Sequence, residues 1–103
     1  MDITLPVVDP LLMTPKSTSQ YLRVHKLSFT PSAYITSVVS FLDSSTGLPV
    51  GSFNVPDVRP VGSETMVLDF GDGVRLTRGA SLQLATTNGA AGHLHVDVKR
   101  VSY

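Results

Sequence analysis

Apolar and polar residues alternate with a period of two over several short stretches of the chain. Leu82 and Leu84 flank Gln83 within residues 80–87, Met66, Leu68 and Phe70 stand against Thr65 and Asp69, and Leu94, Val96 and Val98 stand against His95 and Asp97. A strand turns successive side chains to opposite faces, so each stretch predicts a strand with one face turned inward. From Tyr21 to Phe29 the phase changes: Leu22 and Val24 are in step, then Leu27 and Phe29. One extra residue does this, which predicts a bulge or a change of partner around His25 and Lys26. Residues 34–42 are apolar in both phases and predict a central strand or a subunit contact. Residues 48–55 carry Pro49 and Gly51 and suit an edge strand, followed by a longer loop from Pro56 and Asp57 to Pro60.

No stretch repeats apolar residues at spacings of three and four, and Glu64 is the one glutamate of the chain. Helices are not expected. Thr30-Pro31-Ser32, Asp43 to Gly47, Gly71-Asp72-Gly73, Arg78-Gly79 and Asn88 to Gly92 punctuate the strands with residues that suit tight turns. About seven short strands follow. The fold class is all-β, an antiparallel β-sandwich or jelly roll, with an immunoglobulin-like topology second because its Cys and Trp markers are missing.

The first twenty residues behave differently. Pro6, Pro10 and Pro15 fix φ, remove donors and push their predecessors toward extended geometry, so no period lasts six residues. Yet Ile3, Leu5, Val7, Val8, Leu11, Leu12 and Met13 offer an apolar surface unlike that of a disordered tail. These seven are the candidate partner-binding residues of an extended arm, residues 1–20, ahead of a β-sandwich domain, residues 21–103. Burying all seven gains about 10–20 kcal/mol gross, and ordering the backbone at roughly 1–2 kcal/mol per residue cancels most of it. Such an arm needs multivalency to hold firmly; packing on another chain is the leading expectation, with folding back over its own sandwich and disorder as the alternatives.

The 103 residues allow one domain, and with no cysteine there is no disulfide to support it, so oligomerisation is a natural supplement. Neither a secretory signal nor a membrane-spanning apolar run is expected from the sequence, and no membrane partner follows. Eight basic and eight acidic residues cancel. Arg23, Lys26, Arg59, Arg75, Arg78, Lys99 and Arg100 are spread through the chain, with Asp97 and Asp72 as expected offsets, which counts against a nucleic-acid partner.

Candidate chemistry is sparse. His93, His95 and Asp97 would share one face of a strand, as metal ligands or, more in keeping with strands, as a polar outer or interfacial face. Asp69-Phe70-Gly71 copies a kinase tripeptide without the loops a kinase needs. There is no nucleophile elbow and no cysteine, so no catalytic residues are assigned, no cofactor is expected and the chain reads as a non-enzyme. Tyr21, Tyr34 or Tyr103 could stack on a sugar ring.

One resemblance runs through the strands and turns. Val39-Ser40-Phe41-Leu42-Asp43 with Ser44-Ser45-Thr46-Gly47, then Phe70-Gly71-Asp72-Gly73-Val74-Arg75-Leu76, Gly79-Ala80-Ser81-Leu82, and a last strand from His95-Val96-Asp97-Val98 to Tyr103, resemble small β-sandwich structural proteins of tailed bacteriophages. Capsid cement, or decoration, proteins among them pair a short extended arm with a β domain. The likeness covers roughly residues 35–103. It implies a virion component made in the host cytoplasm and placed on the outer capsid surface, a homo-oligomer such as a trimer that binds the major capsid protein and stabilises the shell. A tail or baseplate adhesion module that recognises a host-surface glycan is the alternative.

Overall fold

In the computed structural model, which describes residues 1–57 and 65–103, every regular element is a strand. They are β1 (Asp2–Leu5), β2 (Leu11–Met13), β3 (Gln20–Pro31), β4 (Ser37–Asp43), β5 (Pro49–Val55), β6 (Met66–Arg75), β7 (Leu82–Thr86) and β8 (Gly92–Ser102). They form two four-stranded antiparallel sheets, in the orders β1-β8-β3-β6 and β2-β7-β4-β5. The all-β sandwich expected from the alternation is the observed class.

The two orders have a simple origin. Strand β4 pairs β5, β3 pairs β6, β2 pairs β7 and β1 pairs β8. The chain is thus one long antiparallel ribbon folded at its middle and wrapped so that alternate segments fall in opposite sheets. This is the strand order of an eight-stranded jelly roll. Eight strands replace the expected seven: the two N-terminal segments join the sheets, and the chain on both sides of Gly71-Asp72-Gly73 is one strand.

The phase reading of β3 is accurate. Register shifts between Val24 and Lys26 in both of its pairings, leaving His25 as the extra residue. Leu22, Val24, Leu27 and Phe29 consequently all reach the core, each fully buried. Val39 and Phe41 of β4, Leu82 and Leu84 of β7, and Leu94 and Val96 of β8 meet them. Phe53 of β5 packs edge-on against Phe41, with ring centroids 5.9 Å apart, and lies 6.2 Å from Phe29. Met66, Leu68 and Phe70 point the predicted way but are only half-buried, because β6 is an edge strand. Strand β4 is central and β5 is an edge, as their sequences suggest.

Two expectations change, and one lies outside the described residues. Gly71-Asp72-Gly73 is not a turn between strands: β6 runs through it as a wide bulge, since Asp69 faces Lys26 and Val74 faces Val24. Four residues, 70–73, stand opposite His25 alone. The loop expected from Pro56 to Pro60 runs into residues 58–64, outside the described residues, as do Arg59 and Glu64. The segment expected as an arm, residues 1–20, is laid against its own sandwich. Prolines keep β1 and β2 short, yet both are edge strands, where one side needs no ladder partner.

One buried carboxylate closes the end of the sandwich where β4 stops. Asp43 is 7 % exposed. Its Oδ1 accepts the N–H groups of Ser45 at 2.8 Å and Thr46 at 3.4 Å, and its Oδ2 accepts that of Thr77 at 2.8 Å. The 44–48 turn is thereby tied to the chain leaving β6. Burial pushes the Asp43 carboxyl up, but the hydrogen bonds from Thr77, Ser45 and Thr46 together outweigh it and hold the group below its ordinary value of 3.8. Asp43→Asn, which turns an acceptor into a donor facing one of these N–H groups, is expected to cost about 2–3 kcal/mol near neutral pH. Because the folded-state value is depressed, the contribution of Asp43 is complete above the unfolded value and is lost as pH falls through the folded one. Thermal melts of both proteins should therefore converge in acid; an equal gap at about pH 2–3 would show that the charge is not what stabilises the turn.

Candidate functional site

The corner between β1 and β2, residues 6–10, carries what remains of the apolar surface expected of an arm. Leu5 is part of the core, 3 % exposed, and Ile3, Val7, Leu12 and Met13 are half-buried against it. These five side chains are used by the chain's own fold. Val8 and Leu11 are not: Val8 is wholly exposed and Leu11 is 43 % exposed. The corner is nevertheless held in shape. The Leu84 amide donates to the Pro10 carbonyl at 2.7 Å, and the Leu11 amide donates to Asp9 Oδ1 at 2.9 Å.

The same end of the sandwich holds the β3–β4 and β7–β8 connections. They are linked by Ser32 N donating to Ala91 O at 3.0 Å and Asn88 Nδ2 donating to Thr36 O at 2.8 Å. Ile35, in the first of them, is 51 % exposed. A shallow cleft of about 290 Å³ lies beside the corner, lined by Thr4, Leu5, Thr30, Pro31, Ser32, Gly92 and His93.

His93, His95 and Asp97 do lie on one face of β8, exposed, and the neighbouring strands engage each in turn. His93 Nδ1 is 3.3 Å from Thr4 Oγ1 and His95 Nδ1 is 2.7 Å from Asp2 Oδ1, while Asp97 stands opposite Lys26. The hydrogen bond with His95, and then its charge, hold the Asp2 carboxyl below its ordinary value. The two histidines serve to fasten β1 along β8. Among the described residues, no three potential ligands converge on a metal position.

The far end of the sandwich was not legible as a site. Registers Arg23↔Arg75 and Arg23↔Lys99 set three cations side by side across β6, β3 and β8. Arg78 comes beside them from the β6–β7 connection, and its guanidinium lies 4.7 Å from the ring centre of Tyr103. Arg75 lies 4.6 Å from that ring and 4.2 Å from the ring of Tyr21, and the two rings meet edge-on at 5.0 Å. Arg78 Nε also donates to Thr18 O. Arg23 donates through Nη1 to the Asp72 carbonyl and through Nη2 to Tyr21 Oη, while its Nε is buried without a partner. The cations are held in place by rings and carbonyls. Gly73 lets the bulge close on this group, since a Cβ there would run into the Arg23 side chain.

With Lys16 and Arg100, six of the eight basic residues fall at this end. Five of the eight acidic ones, Asp2, Asp9, Asp57, Asp69 and Asp97, lie on the other side of the His25 bulge. The offsets expected from Asp72 and Asp97 do not form: among the described residues, the one ion pair is His95 with Asp2. Scatter along the sequence becomes polarity in the fold. The signal was antiparallel pairing of the first long strand with the last, Gln20 opposite Ser102, which brings Tyr21 to Tyr103 and which composition does not reveal.

This end also bears on sugar recognition. Tyr21 is 8 % exposed and Tyr34 is half-buried against the core, while the ring of Tyr103 already carries two guanidinium groups. Tyr103, 56 % exposed, is the most open of the three to solvent, and its ring lies beside two cations. Compared with protein-family models, with curated proteins and with solved structures, the chain matches none.

Proposed function

We propose that the chain is a non-enzymatic structural component of a phage virion, a cement protein that seats on the outer face of the assembled capsid through its β1–β2 corner. The observation that carries this reading is the full exposure of Val8 on a corner whose backbone is restrained by Pro6 and Pro10 and pinned to β7. A restrained apolar projection loses little entropy when it is covered. The jelly-roll order supports it as an analogy, since viral capsid domains use that order, although lectin domains and cupins do too.

Magnitude sets the mode of binding. Val8 and Leu11 together gain about 3–6 kcal/mol when buried, against an association cost of about 4–15 kcal/mol. One corner is insufficient, so a homo-oligomer must present several to the repeating surface of the major capsid protein. Co-sedimentation with assembled shells of the encoding phage tests this. Wild-type protein is expected to saturate the shells, and Val8→Asp with Leu11→Asp is expected to weaken binding at least about tenfold with an unchanged melt. Failure of the wild type to co-sediment, or binding indifferent to both substitutions, would sink the reading.

A further inference from the structure

The charge rows on the outer face of the β1-β8-β3-β6 sheet follow two different rules. On one side of the His25 bulge, Lys26 stands between Asp97 and Asp69, opposite charges as neighbours. On the other side, Arg23 stands between Lys99 and Arg75, like charges as neighbours. Cross-strand like pairs are destabilising, and opposite pairs stabilise. The same three strands thus set unlike charges at facing positions in one row, where Lys26 closes no ion pair, and like charges in the next.

The row of like charges is also the ordered one. Arg75 and Arg78 lie against the rings of Tyr21 and Tyr103, so their orientation is set before any ligand arrives. No carboxylate comes within ion-pair distance of Arg23, Arg75, Arg78 or Lys99 among the described residues, and Arg23 Nε is buried with no acceptor. Guanidinium forks held this way match the paired oxygens of phosphate or carboxylate.

Which anion follows from what the patch lacks. A protein partner buries an apolar centre within a polar rim, with charge depleted at the centre. Here cations occupy the centre: Tyr21 is buried, and Tyr103, 56 % exposed, has Arg75 and Arg78 against its ring. Nucleic-acid interfaces are the strongly positive, polar kind. We propose that this end of the sandwich binds the phosphodiester backbone of a nucleic-acid strand, with Arg23, Arg75, Arg78 and Lys99 as the phosphate contacts and without reading base sequence. The inference is independent of capsid docking, which uses the opposite end.

Fluorescence anisotropy with a labelled oligothymidylate of about 15 nucleotides measures it. Four phosphate contacts on a single strand give a slope of about −2.8 in log K against log salt, a loss of roughly 50-fold between about 50 and 200 mM. Lys99→Gln with Arg78→Gln is expected to halve that slope, and Lys99→Gln alone, at an exposed strand position, to reduce it by about 0.7. Lys26→Gln, in the row of unlike charges, should leave it unchanged. Circular dichroism confirms that each variant is folded, with the single variant taking the place of the double if the latter is not. The proposal falls if no salt-sensitive binding is seen at about 50 mM, if the slope ignores Lys99 and Arg78, or if poly-glutamate displaces the oligonucleotide at equal charge, which would assign the patch to an acidic protein.

Discussion

A chain lacking residues 1–15 is expected to lose its cooperative melting transition. The deletion removes both N-terminal edge strands, and with them Leu5 from the core and the half-buried Ile3, Val7, Leu12 and Met13. Truncating Leu5 alone to Ala should cost about 2–5 kcal/mol, in a domain whose whole stability is on the order of 5–15 kcal/mol. The loss extends beyond side chains. Strands β8 and β7 would become edges, with backbone groups of β8 that now face β1, the Val96 amide bonded to Met1 among them, open to solvent or to another chain. Circular dichroism melts, with amide exchange at Leu94 and Val96, read the effect directly. A truncated protein that melts as sharply as the full chain and within a few degrees of it would mean that β1 and β2 are ornaments on a self-sufficient core.

Gly92→Ala is expected to be the most damaging exchange of a single methyl group. Gly92 opens β8 between Leu5 of β1 and Pro31 of β3, at a φ of +150°. A Cβ there would run into the Thr30 carbonyl oxygen, and would come within 2.8 Å of the Phe29 ring and 2.9 Å of Pro31 Cα. Two of those three obstacles are backbone and cannot swing away. Backbone strain and overpacking at about 1–3 kcal/mol each add to roughly 2–6 kcal/mol, a fall in Tm of at least about 10 °C. Gly89→Ala separates the two terms, because Gly89 has a φ of +69° and open space where its Cβ would be. It should lose about 1–2 kcal/mol, from backbone strain alone. Equal melting temperatures for the two variants would show that Gly92 has room to relax.

What could be read from the sequence was whatever depends on neighbours along the chain. The alternation at Leu82–Leu84 and Leu94–Val96 located core strands, and the slipped phase between Val24 and Leu27 located a one-residue bulge, because both follow from the two-residue period of a strand. Pro49 and Gly51 gave β5 as an edge for an equally local reason. Partners of long separation were beyond reach. Prolines marked residues 1–20 as extended, but an extended segment can pair with a foreign chain or with its own last strand, and only the wrapped ribbon decides between them. Of the seven apolar residues assigned to binding, Leu5 went to the core and four were half-covered for that reason, leaving Val8 and Leu11. The cationic end was invisible on the same ground: Arg23, Arg75 and Lys99 are far apart in sequence and adjacent in register.

The wrapped ribbon also dictates a schedule. Its fold-point, the β4–β5 hairpin, is the only one of the four ribbon pairs whose strands are joined by a short turn, whereas Asp2 finds its partner at His95. Pairings of such separation form late, and sandwiches rich in them fold in milliseconds to seconds. On the ribosome the delay is longer. At roughly 5–20 residues per second the first strand waits about 5–20 s for the last to be made, its Ile3 and Leu5 uncovered throughout, while Leu12 and Met13 of β2 wait for β7. A segment in that position is at risk of joining another nascent chain, and stretches free of proline are the ones that do so. Pro6, Pro10 and Pro15, spaced so that no long run lacks one, act as gatekeepers for the interval between synthesis and closure.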